Sequence, residues 1–295
     1  MGMKTFTSQE IKEFVSKPLF DEKVILNKDP SWPKISIVTP SYNQAQFLER
    51  TILSVLNQNY PNLEYIIIDG GSTDGTLNII KKYENKIAYW ISEPDKGMYN
   101  ALNKGLRIAS GEILAYINSD DLYLPNTFFF VVGYFQKNIG TTLIYGDCIF
   151  INENGDHLYT YRYLPFKFYR YVALNWSSIP QPTTFWRNTV HKTEIYFDEN
   201  FKMLGDFDFY IKVGQQFRIE YVKKEIAVFR LHKGSLTLKH RQLRLSELSK
   251  MRKKYDILYN KKGIKLMRYI GELQIKMVNF PLMVKKFFGK KYEIE

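Results

Sequence analysis

Four short stretches carry side chains whose types and spacing suit chemistry. In "YINSDDLYLP" (116–125) an apolar run stops on two adjacent carboxylates, Asp120 and Asp121. Like charges side by side repel, so the pair calls for a cation beside it. Mg²⁺ or Mn²⁺ takes carboxylate oxygens and completes its shell with phosphate and water, which suits Asp at a strand end. The plain alternative is that Asp121 caps the next turn. In "IIIDGGSTDGT" (66–76), Asp69 precedes a glycine-rich turn, where it can accept a hydrogen bond from a nucleobase or ribose. An ordinary strand-to-helix turn capped by Asp74 explains the same residues. "MLGDFDFYIKV" (203–213) puts Asp206 and Asp208 two apart at a helix start, so at most one faces a given site. A carboxylate beside an acceptor hydroxyl is a suitable general base. In "FRLHKGSLT" (229–237), a strand with a following basic loop, His232 is either structural or a contact to metal or diphosphate, with Lys233 or Ser235 helping.

Regular elements must hold these residues. "KISIVTP", "LEYIIID", "IAYWISE" and "EILAYIN" read as strands, separated by helical patterns in "AQFLERTILSVLNQ", "LNIIKKYE" and "GMYNALNKGLRIAS". Strand alternating with helix is the pattern of an α/β fold with a mostly parallel central sheet flanked by helices. Ligands of open α/β sheets gather at the carboxyl ends of the strands. Residues 40–43, 69–75, 93–97 and 118–121 all sit at such ends, so the loops are expected to converge. Beyond them, "NTFFFVVGYFQK" reads as a helix, and "TLIYGDCIFINENGDHLYTYRY" as two strands joined by a turn at Asn154 and Gly155. The irregular stretch 156–200 offers Trp176, Gln181 and Trp186 as candidate acceptor-binding residues, although aromatics there suit a core equally.

A chain of 295 residues, 45% hydrophobic and 16% aromatic, can bury a sizeable core. It has no run of 18 uncharged apolar residues, and its first residues lack the layout of a secretory leader, so neither a membrane span nor secretion is indicated. The single cysteine, Cys148, excludes an internal disulfide and reads as a buried strand thiol in a reducing cytoplasm. The formal charge of +12 is uneven: residues 238–295 hold 16 Lys and Arg against 5 Asp and Glu, and the rest is near neutral. Three segments follow: an extension (1–33) whose short helix "SQEIKEFVSK" has Ser8 as a cap, a catalytic body (34–237) and a basic helical tail (238–295). The tail suits an interfacial helix interrupted at Pro281, with Phe287 and Phe288 as anchors in an anionic membrane surface. Packing back onto the body is the alternative. A nucleic-acid partner is not expected, because acidic loops at the strand ends repel phosphate.

Taken together, "ISIVTPSYNQAQFLERTILSVLNQNYPNLEYIIIDGGSTDGT", "SEPDKGMYNALNKGLRIASGEILAYINSDDLYLP", "YGDCIFINENG", "GDFDFYIKV" and "RLHKGS" resemble the family-2 glycosyltransferases of the GT-A fold. The resemblance spans roughly residues 34–237. It implies an inverting transferase that uses a nucleotide-diphosphate sugar, a UDP-sugar being the expected donor, with Mn²⁺ or Mg²⁺. By the same resemblance Pro40, Tyr42, Asp69, Asp95 and Lys96 lie at the nucleotide. Asp120 meets the ribose or metal shell, Asp121 ligates the metal with His232 as a possible helper, and Asp206 is the general base. The acceptor would be a glycan or polyprenyl-linked glycan in cell-surface polysaccharide synthesis, with the enzyme peripheral on the inner face of the membrane. Three positions depart from the pattern: Gly70 and Asn118 stand where acids are common, and Gly205 where a Glu usually precedes the base. A sugar-1-phosphate nucleotidyltransferase would share the sheet, metal and nucleotide, but "TPSYNQAQF" lacks the glycine- and arginine-bearing triphosphate loop that activity needs.

Overall fold

The computed structural model describes residues 6–16, 28–174, 178–235, 241–260 and 262–280. Helix α1 (Ser8–Ser16) is capped by Thr7 rather than by Ser8. The Glu10 N–H donates to Thr7 Oγ1 (3.2 Å) and the Thr7 N–H to Glu10 Oε2 (2.9 Å), a reciprocal box set by their spacing of three. Its apolar face, Ile11, Phe14 and Val15, packs against Leu122, Ile149 and Val228 of the body.

Strands β1 (Ile35–Ser41), β2 (Leu63–Asp69), β3 (Tyr89–Ser92) and β4 (Ile113–Tyr116) pair in parallel, in the order β3-β2-β1-β4. β1 and β4 are buried throughout and β2 from Tyr65 onward, because both faces are covered there, while β3 at the edge is only partly buried. Along β2, Tyr65 and Ile67 enter one core while Ile66 and Ile68 enter the other, as the two-residue period requires. Helices α2 (Leu48–Leu56) and α3 (Thr76–Lys82) cover the first face, and α4 (Met98–Ile108) covers the second through Leu102 and Leu106. In α2, Leu48, Ile52, Val55 and Leu56 are buried, each worth about 2 kcal/mol.

The second half changes the sheet from parallel to mixed. It adds β5 (Leu122–Tyr123), α5 (Thr127–Lys137), β6 (Leu143–Ile151), β7 (His157–Tyr161), α6 (Phe168–Leu174), β8 (Phe185–Arg187), α7 (Gly205–Gln216) and β9 (Ile219–Arg230). Short β8 inserts antiparallel between β4 and β6, β6 runs parallel to β9, and β5 closes antiparallel on β9. The expected hairpin of β6 and β7 forms, with Gly155 at φ 84° in its turn. Cys148 is buried in β6.

Helices α8 (Arg241–Lys254), α9 (Asp256–Tyr259) and α10 (Ile264–Val278) belong to the basic segment, and they pack back onto the body. Met251 of α8 is fully buried, and Lys254 reaches Asp198 (2.6 Å) and Asp208 (2.7 Å). In α10, Gly271 and Ile275 turn inward, with Gly271 against Arg170 and Leu174 of α6. Pro281, Phe287 and Phe288 lie outside the described residues. Among the described residues no helix is long and apolar enough to cross a membrane.

Candidate active site

The four loops at the carboxyl ends of β1 to β4 converge on one cleft of about 700 Å³. Pro40, at the end of β1, lines it beside Tyr42, which is 61% exposed. Asp69 does not reach the cleft. Buried at the end of β2, its carboxylate accepts the N–H groups of Gly71 (3.1 Å) and Ser72 (2.8 Å) and the hydroxyls of Ser72 (2.6 Å) and Ser92 (2.7 Å). Its lone pairs are spent on building the turn, and Gly70 lines the cleft in its place.

Gly70 is small for a reason visible in its neighbours. A Cβ there would sit 2.8 Å from Asp95 Oδ2 and 3.3 Å from the Tyr42 ring. Asp95 lines the cleft and accepts the Gly97 N–H on its other oxygen (2.7 Å). An acid absent at position 70 therefore re-enters the same space from the loop after β3. The side chain of Lys96 is exposed and is not among the described groups lining the cleft; Lys202 lines it instead, and its Nζ donates to the Lys96 carbonyl (2.5 Å).

The acid pair divides in the sense opposite to the sequence expectation. Asp120, with its side chain 17% exposed, faces the cleft, and its Oδ2 meets His232 Nε2 at 2.9 Å. Asp121, 1% exposed, turns into the body, where its Oδ1 accepts the Arg230 N–H (3.0 Å) and its carbonyl accepts the Thr51 hydroxyl (2.8 Å). Burial, and then the charge of Asp120, push the Asp121 carboxyl well above the ordinary range. The cation that the pair demands is Arg230. Its Nε donates to the Asp120 carbonyl (3.1 Å), and its guanidinium lies over the Phe47 ring at 5.0 Å. In the sequence Arg230 stands two residues before His232, which places it at the same strand end but says nothing of its partners.

Asp206 and Asp208 separate as helical spacing requires. Asp206, in the first turn of α7, lines the cleft, and burial pushes its carboxyl up to about 7. Asp208 is fully buried on the other side, held by Lys212 (2.7 Å), Lys254 (2.7 Å) and the Tyr255 hydroxyl (2.8 Å). Of the acceptor candidates, Gln181 lines the cleft but donates to the Tyr116 carbonyl (2.9 Å) and accepts from Asn118 (3.1 Å). Trp186 is a core residue, fully buried in β8 and donating to His191 Nε2 (3.0 Å). Trp176 lies outside the described residues.

Among the described residues no group of three or more His, Cys, Asp or Glu forms a metal cage. A cation resting on few protein groups and on a bound diphosphate needs none. Asp120 Oδ2 and His232 Nε2, 2.9 Å apart, fit adjacent ligands on one such ion, since bonds of about 2.1 Å at right angles span about 3 Å. Asn118 Oδ1, buried and without a hydrogen-bond partner among the described residues, adds a neutral oxygen at the same strand end.

Fold and cleft together define a GT-A protein, with a nucleotide-sized cleft at the carboxyl ends of its parallel strands. The sequence model of glycosyl transferase family 2 matches residues 36–192, and the chain belongs to that family. It is similar to an uncharacterized glycosyltransferase of Rickettsia bellii, 30% identical over 68% of this chain and 30% of that protein. A second, from Haemophilus influenzae, is 27% identical over 84% of this chain and 81% of its own length. The putative teichuronic acid biosynthesis glycosyltransferase TuaG of Bacillus subtilis is 42% identical over 30% of this chain and 36% of its own. The chain thus spans about a third of several relatives it matches. Staphylococcus aureus TarS in complex with UDP-GlcNAc shares the fold at a TM-score of 0.61 and 19% identity, covering 85% of this chain and 76% of that one. The mannosyltransferase PcManGT of Pyrobaculum calidifontis, in complex with GDP-Man and Mn²⁺, does so at 0.56 and 17%, covering 96% and 83%.

Proposed function

We propose that the protein is an inverting glycosyltransferase that moves a sugar from a nucleotide-diphosphate donor to a hydroxyl of a glycan or lipid-linked glycan. The observation that carries this reading is the single cleft shared by Tyr42 and Asp95, by Asp120 with His232, and by Asp206. Tyr42 offers a stacking face and Asp95 an acceptor for a base N–H, which suits uridine. Asp206, ionised, takes the proton of the acceptor hydroxyl as its oxygen bonds to the anomeric carbon. The bond from that carbon to the diphosphate breaks on the opposite face, its electron pair leaves with the diphosphate, and the anomeric centre inverts. Asp120 and His232 would hold Mn²⁺ or Mg²⁺, which when bound neutralises charge on the leaving diphosphate. Lys202 adds a positive charge at the same cleft. Solved relatives of the fold with UDP-GlcNAc and with GDP-Man and Mn²⁺ support a nucleotide-sugar donor, and TuaG supports a place in cell-surface polysaccharide synthesis.

The test is a thermal-shift screen of nucleotide diphosphates with Mn²⁺, followed by donor turnover. A nucleoside diphosphate with Mn²⁺ should raise the melting temperature by several degrees at saturation, and the matching sugar donor should be consumed. Turnover of a triphosphate with a sugar phosphate, and none of any diphosphate sugar, would instead mark a nucleotidyltransferase.

Peripheral binding to an anionic membrane belongs to the same proposal, with the surface moved from the tail's last residues to α10. Leu266, Tyr269, Ile270, Leu273 and Met277 recur at helical spacing on the side opposite Gly271 and Ile275, and Leu266 and Met277 are 62% and 74% exposed. Exposed Lys262, Lys265 and Lys276 accompany them. Deleting residues 238–295 is a poor test, because it also removes buried Met251 and Glu247. Replacing Leu266, Tyr269, Leu273 and Met277 together by Ser should cost about 1 kcal/mol of membrane affinity each. The variant should then stay in the dense fraction when the parent floats with phosphatidylglycerol vesicles. Equal flotation removes α10 as the contact.

A further inference from the structure

A helix start leaves backbone N–H groups without partners inside the helix. At α7 the N-cap position is Leu204, which has no side chain able to accept them. Nor can residue 205 supply one, because a Cβ there would lie 2.6 Å from the Tyr99 ring. For the Leu204 N–H, and for the two amides that precede the helix, the acceptor arrives from α8. Glu247, 1% exposed, takes the Lys202 N–H on Oε1 (2.5 Å) and the N–H groups of Met203 and Leu204 on Oε2 (2.9 Å each). One buried carboxylate thus satisfies three consecutive amides. Lys202, Met203 and Asp206, all within this short stretch, line the cleft. The Asp206 backbone N–H itself donates to the Tyr99 hydroxyl (3.3 Å).

We infer that Glu247 is a positioning residue of the active site: by clamping the amides of residues 202–204 it places the Asp206 carboxylate and Lys202 in the cleft. The inference rests on Asp206 acting as the base. The first helix of the basic segment is then part of the catalytic body, with Lys254, two turns further along the same helix, pinning Asp208. Charge acts alongside geometry. Burial is the main cause of the raised Asp206 carboxyl, and Glu247 adds to it while Arg244, on the same helix as Glu247, opposes it. Among the described residues Asp206 also faces the phenols of Tyr99, Tyr116 and Tyr210, neutral at working pH because burial pushes them well above their ordinary value, and it shares the cleft with Asp95, Asp120, Lys202 and His232.

Glu247→Gln and Glu247→Asp test this in the full chain. In Glu247→Gln the amides of 202–204 should lose about tenfold or more of their hydrogen-exchange protection. The ionisation midpoint of Asp206, followed by carboxyl ¹³C NMR and assigned with Asp206→Asn, should fall by about half a pH unit. Turnover should drop about tenfold with little change in donor KM. Glu247→Asp keeps the charge on a shorter stem, so its midpoint should stay at the parent value while kcat falls. Unchanged protection and midpoint in Glu247→Gln overturn the inference. Should that variant not fold, parent-like protection and kcat in Glu247→Asp overturn it equally. Exchange and titration are read without turnover, so a protein that transfers no sugar would refute the proposed function while leaving Glu247 to be decided separately.

Discussion

Asp206→Asn should lower sugar transfer by roughly 10²–10⁴-fold, the range for loss of a general base, and leave the donor dissociation constant within about twofold. The amide matches the carboxylate in shape, so the Phe207 N–H that donates to Asp206 Oδ1 (2.7 Å) keeps an acceptor while the proton acceptor is gone. The pH dependence follows from the same group. A base works ionised, and the Asp206 carboxyl is pushed by burial from 3.8 up to about 7, so kcat/KM of the parent should climb with pH and level off above about 7. Asn at this position removes that limb from the residual activity.

Stability moves the other way. A carboxyl whose folded pKa is raised stabilises the fold below its unfolded value, and that contribution disappears as pH rises through the folded value. Between about 4 and 7 the parent therefore loses stability that the variant keeps. Since the group borders an open cleft, we expect Asp206→Asn to be more stable by roughly 1–2 kcal/mol at pH 8 and to show no such gain at pH 4. Urea midpoints at the two pH values measure it. Turnover near the parent rate would remove Asp206 from the mechanism.

How much of this was legible in the sequence depended on the physical kind of each feature. The parallel half was, because β2 and β4 carry apolar runs, β1 is a short β-branched one ending at Pro40, and α2 keeps its spacing. The insertion of β8 was not, because three residues, Phe185–Arg187, carry too little period to register and their place is set by pairing with β4 and β6. At the site, the loops that converge were readable from their positions at strand ends. Which way each side chain turns was not, and Asp69 shows why: its carboxylate satisfies a turn, a demand that arises only once Gly71 and Ser72 are folded around it. Arg230, Lys202 and Glu247 were missed for a related reason. Each acts across a large separation, Arg230 on Asp120 and Asp121, Lys202 on Lys96 and Glu247 on residues 202–204, and no local pattern announces such a contact.

Asp120→Ala and Asp121→Ala separate the two carboxylates of "NSDD" by what each loses. For Asp120→Ala we expect transfer to fall about 10²-fold or more, the scale of a few kcal/mol of charge stabilisation at the leaving diphosphate. The fold should stay close to the parent, since that side chain borders the cleft and its hydrogen bond is to His232. The stabilisation that Mn²⁺ with nucleoside diphosphate gives the parent should be lost in the variant, and adding a chelator should reduce the parent to the same melting temperature. Asp121→Ala should fail differently. Its carboxyl is buried and holds the Arg230 N–H, so removal leaves that donor unsatisfied and costs about 1–3 kcal/mol, read from a urea midpoint. Turnover per folded molecule should fall far less than in Asp120→Ala, and the response to Mn²⁺ should persist. Arg230 supplies the reason for the difference: its backbone and guanidinium answer the repulsion between the two acids from the body side, which leaves Asp120 free to turn toward the cleft. Loss of the Mn²⁺ response in Asp121→Ala with its retention in Asp120→Ala would reverse the assignment and return the metal to Asp121.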